Sequence, residues 1–282
     1  MSALAVLWFF LIFVLIAGYF VLDGFDLGVG VLYRALAKDE REQALVRRSI
    51  GPVWDGNEVW LLTAGGALFA AFPAAYATTF SGFYLAVMLV LFGLIVRAVS
   101  LEFRAHDPQW ARAWDVCFTV GSFLPALLLG VALGNVIAGI PMAANGDYAG
   151  VPLLGLLSPF TLVAGLLGLA MCLSAGAAWV ALKAPAGSAV HKRAAKLRVP
   201  CQIAALALFA VATVLMFAVV QPAFAPGMFV AGVVIALVFL ACVVASIVLG
   251  RKGNDLVAFL LQSVAAAGLV ALAAVTLFPN LV

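Results

Sequence analysis

The chain has 282 residues and a formal net charge of +3, with 67% hydrophobic and 10% charged residues. Soluble globular domains carry roughly 45–50% apolar and about 25% charged residues, so a water-soluble fold could not cover so much apolar sequence. Apolar runs recur along the whole chain, which excludes reading the hydrophobicity as a signal peptide alone, and no nucleic-acid partner is expected.

A hydrocarbon core of about 30 Å takes about 20 apolar residues at about 1.5 Å each. On that template the sequence predicts an all-α, polytopic transmembrane bundle forming one integral membrane domain over residues 1–282. Its eight spans lie near 3–33, 53–72, 78–100, 115–140, 153–182, 200–220, 227–249 and 256–278. Helix-stop chemistry marks the breaks at Phe72-Pro73, Ile140-Pro141 with Asn145-Gly146, Gln221-Pro222 with Pro226-Gly227, and Gly250 ahead of Arg251-Lys252. All fifteen Lys and Arg fall in or beside alternate connections: 34–48, 97–112, 183–198 and 251–252. By the positive-inside rule these connections face the cytoplasm and the N-terminus lies outside.

Four of the twelve acidic residues sit within or at the mouths of the first two spans, Asp23 and Asp26 and then Asp55 and Glu58. Each pair is spaced i, i+3 and projects from one helix face. Carboxylates at membrane depth are costly and point by default to a proton or ion pathway. For Asp55 and Glu58, which follow Pro52, favourable charge at a helix N-terminus is an equally good reading. Asp23 and Asp26 are preceded by apolar sequence, and Gly24, Gly28 and Gly30 allow close helix approach. Arg97 and Glu102 could pair or bind a lipid phosphate, with snorkelling to the interface the favoured reading for Arg97. Pro125 should bend the fourth span, and Asn135 in the same span needs a partner.

Cys117, Cys172, Cys201 and Cys242 lie in apolar runs without close pairing and read as packing residues. His106 and His191 fall in predicted connections, so a bis-His haem site and a metal site within the spans are not expected; a Met-Met or Cys haem ligand stays open, with packing the favoured reading of the Met residues. Trp54, Trp60, Trp110, Trp114 and Trp179 lie near predicted interfaces, where an aromatic belt is expected.

The stretches Asp23-Gly24-Phe25-Asp26-Leu27-Gly28-Val29-Gly30 and Gly51-Pro52-Val53-Trp54-Asp55-Gly56-Asn57-Glu58-Val59-Trp60 resemble the two signature motifs of subunit II of cytochrome bd-type quinol oxidases. Gly130 to Pro141 resembles a third, and beyond the fourth span the likeness is mainly in hydropathy. The resemblance implies a heterodimeric oxidase of the bacterial plasma membrane that passes electrons from quinol to dioxygen and forms water. In that family the larger subunit I carries haem b and haem d, while subunit II binds no haem, packs against it among the membrane lipids and contributes to proton delivery. Small accessory subunits accompany some members, and some hold a structural quinone in subunit II. The resemblance assigns Asp23 and Asp55 to a proton path, with Asp26 and Glu58 beside them and Trp54 and Asn57 as motif support. Family members usually continue into a ninth span, whereas this chain stops at Phe278-Pro279-Asn280-Leu281-Val282. An ion-coupled secondary transporter using the same acids is the competing reading, and a purely structural membrane partner is a third.

Overall fold

The computed structural model describes residues 2–141, 143 and 148–281. Ten helices account for nearly all of it: α1 (Ala3–Leu36), α2 (Glu40–Ile50), α3 (Trp54–Ala71), α4 (Pro73–Gly82), α5 (Tyr84–Phe103), α6 (Ala111–Ala138), α7 (Pro159–Lys183), α8 (Ala189–Leu215), α9 (Met228–Arg251) and α10 (Asp255–Leu277). No strand occurs among the described residues. Among the described residues seven helices are long and apolar enough to cross a membrane: α1, α5, α6, α7, α8 with its wide final turn to Val220, α9 and α10. The protein is a multi-pass membrane helix bundle.

Local chemistry fixes the helix starts. Ser2 Oγ accepts from Ala5 N–H at the head of α1, and Asp39 Oδ1 accepts from Glu42 N–H at the head of α2. Ser158 and Thr161 form a reciprocal capping box on α7 with Pro159 at its first position.

That cap accounts for one difference from the sequence reading: α7 starts at Pro159, not near 153, because Leu154–Leu156 forms a short 3-10 turn before it. Residues 78–100 are not one helix, since α4 ends at Gly82 and α5 begins at Tyr84. The basic connection 34–48 is largely the amphipathic helix α2. α8 begins eleven residues ahead of the expected span, so Pro200 lies inside it and His191 belongs to its first turn. Gly250 does not stop α9, which runs to Arg251; the turn is made at Gly253, whose φ of 85° suits glycine. The expected stop at Asn145-Gly146 lies outside the described residues.

α1 runs through the middle, packed by α3, α6, α7 and α10. Its crossing with α7 depends on paired glycines: a Cβ on Gly28 would lie 1.8 Å from Cys172 O, and one on Gly176 would lie 2.5 Å from Gly28 C. Pro125 is buried inside α6, facing Gly93 of α5. Asn135 finds its partners in backbone carbonyls, donating to Val131 O at 2.9 Å and to Leu156 O at 2.8 Å, which ties α6 to the turn before α7. α8 and α9 expose many apolar side chains on their outer faces, as lipid contact requires.

Candidate functional site

α1 carries Asp23 and Asp26 about 20 and 15 Å from its Leu36 end, on a rise of about 1.5 Å per residue. Both side chains are fully buried. Arg97, projecting from α5, is also fully buried and grips Asp23 with both prongs, Nη2 to Oδ1 at 2.6 Å and Nη1 to Oδ2 at 2.9 Å. This is the fork geometry that makes guanidinium–carboxylate pairs strong. It corrects the snorkelling reading of Arg97: the side chain turns inward, because a carboxylate waits on α1, and it does not pair with the exposed Glu102.

α3 supplies the remaining groups from its first turns. Glu58 Oε1 lies 3.5 Å from Arg97 Nη1, and Glu58 keeps about a quarter of its side chain exposed. Asn57 Nδ2 donates to Asp26 Oδ2 at 2.8 Å and to Leu22 O at 3.1 Å, which pins α3 to α1. Asp23 and Glu58 therefore share one guanidinium, and Asp26 is held close by on Asn57. Asp26 Oδ1, Glu58 Oε1, Arg97 Nε and the Tyr19 hydroxyl are buried with hydrogen-bonding capacity left over. A cluster with more proton-binding groups than charge partners, lined by unfilled donors and acceptors, can hold and pass a proton.

The sequence candidates thus separate into two sets. Asp23, Asp26, Asn57 and Glu58 meet at one place. Asp55 stands apart: it is exposed in the first turn of α3, where its Oδ1 accepts from Gly56 N–H at 2.8 Å. It precedes Glu58 by three residues on the exposed first turn of α3. Trp54 is half-buried beside it, and Trp60 packs into the notch left by Gly18 of α1. Arg97 and Tyr19 are members that sequence reasoning missed. The available signal was that Arg97 sits well inside an apolar run, where an arginine needs an acid.

The end of the bundle nearest this cluster is held by ion pairs between the basic connections. Arg104 Nε bonds Asp115 at 2.8 Å and its Nη2 bonds Glu40 at 2.9 Å, joining α2 to α5 and α6. Arg193 of α8 pairs with Glu42 of α2 and donates to Leu36 O, while Arg47 bonds the Tyr33 hydroxyl. Trp179 Nε1 donates to Ser49 O at 3.0 Å. The hydrogen bond from Arg193, with one from the Lys38 N–H, holds the Glu42 carboxyl below its ordinary range. Carboxylates beside Arg104, Asp115 first, keep its guanidinium charged against the cost of burial. These contacts fix α2, and the turn that follows it aims α3 at α1.

On the far side of α7 lies an apolar cavity of about 310 Å³ between α6, α7, α8, α9 and α10. Its walls include Leu133, Phe160, Met171, Phe209, Phe217 and Val270. The lining is almost wholly apolar and has no histidine and no charged side chain. It suits an isoprenoid chain. Among the described residues no group of three His, Cys, Asp or Glu could hold a metal ion, and all four cysteines are free.

Residues 4–282 match the family model described as cytochrome bd terminal oxidase subunit II. The cytochrome bd-I ubiquinol oxidase subunit 2 of Escherichia coli K12 is 41% identical over 211 residues, covering 73% of this chain and 54% of that protein. The probable cytochrome oxidase subunit 2 of Haemophilus influenzae is 45% identical over 183 residues, covering 63% and 48% respectively. The cytochrome bd ubiquinol oxidase subunit 2 of Bacillus subtilis is 45% identical over 147 residues, 51% of this chain and 44% of that one. The chain thus spans about half the length of these curated relatives. In the bd oxidase structure from Geobacillus thermodenitrificans, a chain superposes with a TM-score of 0.74 at 19% identity, covering 100% of this chain and 88% of that one, which shows a shared fold. The match along the whole chain, together with the two acid-bearing motifs that the fold brings against one another, places this protein in the cytochrome bd terminal oxidase subunit II family.

Proposed function

We propose that the chain is the haem-free subunit II of a quinol-oxidising cytochrome bd oxidase, which reduces dioxygen to water, and that its Asp23–Asp26–Glu58–Arg97 cluster is the proton inlet. The observation that carries this reading is the gradient of burial toward the cluster. Asp55 is exposed, Glu58 is partly exposed, and Asp26 and Asp23 are fully buried. In this arrangement Asp55 collects protons at the surface, Glu58 receives them, and Asp26 passes them on. Arg97 holds Asp23 and balances the negative charge of the group. By the positive-inside rule, the basic connections drawn together at that end support a cytoplasmic position for it in a bacterial plasma membrane, with the N-terminus outside and the chain forming one membrane domain.

The partner reading rests on α3. Among the eight helices that align with expected spans, α3 alone falls short of membrane-crossing hydropathy, and its outer face presents Asp55, Gly56, Thr63 and Gly66 with Leu62 and Phe69. Such a face suits protein better than lipid, and the haem-bearing subunit I is the partner that fits an oxidase. We assign the haems b and d to that subunit, in keeping with both histidines of this chain lying outside its apolar runs. The apolar cavity accommodates the tail of a structural quinone along Leu133, Phe160, Phe209 and Val270. Lipid surrounds the remaining apolar faces, and small accessory subunits can complete the complex.

Purification of the tagged chain in mild detergent tests the assignment. A larger subunit carrying b- and d-type haem spectra in equal amount, with quinol-dependent oxygen uptake, is the expected result. A stable, solitary, haem-free chain would overturn it and favour an ion-coupled transporter.

A further inference from the structure

Tyr19 is the deepest polar group of the carboxylate cluster. It lies four residues before Asp23 and seven before Asp26, so the three share one face of α1. From Ala3 to Gly18 the helix carries no polar side-chain atom except the Trp8 ring nitrogen. Tyr19 is 1% exposed, and among the described residues its hydroxyl closes no hydrogen bond. A buried, unpaired hydroxyl is costly, and phenylalanine would fill the same space without that cost. The charged groups that adjoin it are Asp23, four residues on along the same helix, and Arg97 of α5.

Arg97 is divided between two acids. Its Nη2 and Nη1 hold Asp23 at 2.6 and 2.9 Å, and the same Nη1 stands 3.5 Å from Glu58 Oε1. Its Nε is unengaged, so the fork can turn without first breaking a bond there. Where it settles depends on the charge of Glu58. A protonated Glu58 leaves the guanidinium to Asp23, whereas an ionised one attracts it strongly in poorly screened surroundings. A shift of under about 1 Å brings Nη1 to the length of a charge-assisted hydrogen bond with Glu58 and draws it off Asp23 Oδ2. Asp23 then lacks one donor. Asn57 cannot supply it, because its amide is committed to Asp26 at 2.8 Å and to Leu22 O at 3.1 Å. The Tyr19 hydroxyl, which can donate and has no other claim on its proton, is the group at hand.

We propose that Tyr19 is a positioning residue of the inlet: its hydroxyl donates to Asp23 whenever ionised Glu58 draws Arg97 away, so the guanidinium swings with each proton that Glu58 takes up and releases. The role rests on the proton-inlet reading of the cluster. The phenol O–H bond stays intact throughout, and what Tyr19 supplies is a hydrogen bond, not a proton. The groups that share this field are Asp23 and Asp26 on α1, Asp55 and Glu58 on α3, Arg97 on α5 and Cys172 on α7.

The test uses the assembled, haem-loaded complex with Tyr19→Phe and Glu58→Gln, singly and together. Tyr19→Phe should keep wild-type assembly and haem spectra and slow quinol-driven oxygen uptake about 10-fold, the weight of one hydrogen bond to a charged group. In the Glu58→Gln background, where no second carboxylate calls Arg97 away, it should slow uptake by less than about 2-fold more. A Tyr19→Phe complex at the wild-type rate, or the same 10-fold loss in both backgrounds, would overturn the proposal and leave the inlet standing. A Glu58→Gln complex at the wild-type rate would overturn the inlet, and the proposal with it. Infrared difference spectra of the complex with ring-¹³C tyrosine need no Tyr19 variant: a pH jump should shift a tyrosine C–O band, and Glu58→Gln should abolish that shift. Tyrosine bands that respond identically with and without Glu58→Gln would overturn the proposal as well.

Discussion

Removing Arg97 alone should do more damage than removing it together with Asp23. The pair is fully buried and makes two charge-assisted hydrogen bonds, at 2.6 and 2.9 Å. At a charge separation of about 4 Å and an effective dielectric constant of about 20, the attraction is worth about 4 kcal/mol. Leaving one member of such a pair buried and alone costs about 3–5 kcal/mol, or roughly two to four orders of magnitude in the folded-to-unfolded ratio. Arg97→Met and Asp23→Asn should therefore each reduce the yield and thermal stability of the assembled oxidase. The double variant Asp23→Asn/Arg97→Met should recover much of the loss, with a coupling of about 2–3 kcal/mol. The assay is the thermal midpoint of the purified complex by haem absorbance, with the four combinations measured side by side. Losses that simply add, to within about 0.5 kcal/mol, would refute the inward, paired placement of Arg97.

The inlet makes a separate demand: Glu58→Gln and Asp26→Asn should leave assembly and haem spectra intact while slowing quinol-driven oxygen uptake by about 10²-fold, the usual weight of a positioned proton-transfer group. Asp55→Asn, at the exposed outer step, should slow turnover by less than either. Gly28→Ala should prevent assembly, because the added carbon collides with the α7 backbone at Cys172, which cannot move aside as a flexible side-chain end could. At the surface, Glu42 has a depressed folded-state pKa, so its contribution is present above the ordinary glutamate range and is lost as pH falls through the folded value. The protection of the α2 amides, corrected for the intrinsic exchange rate at each pH, should therefore fall below about pH 4.5, and Glu42→Gln should flatten that fall.

Much of the bundle was legible because hydropathy and stop residues report helices directly: α9 and α10 fall within two residues of the segments expected for them. Where the two disagree, local chemistry outweighs hydropathy. The Ser158–Thr161 capping box delays α7 past an apolar stretch that composition alone would have included. α2 was invisible to a search for apolar runs because it is a polar helix at the membrane surface, held by Arg104 and Arg193. The acids of the site were legible as costly charges at depth, whereas their relations were not. A sequence does not say which way a long side chain turns, and Arg97 could equally have reached for lipid headgroups. Asp55 and Glu58 share a motif, yet only Glu58 faces Arg97, a difference decided by how α3 is rotated against α1 through the Asn57 hydrogen bonds.

In the proposed inlet, protons reach the oxygen-reducing centre of the complex through this cluster. Time-resolved proton uptake, followed with a pH-sensitive dye as the fully reduced complex meets dioxygen in lipid vesicles, measures that step apart from quinol oxidation. Uptake is expected from the side of the basic connections, slowed about 10²-fold in Glu58→Gln and Asp26→Asn complexes whose haems are reduced at the normal rate. Uptake at the wild-type rate in both variants would contradict it and assign the proton path to another part of the oxidase.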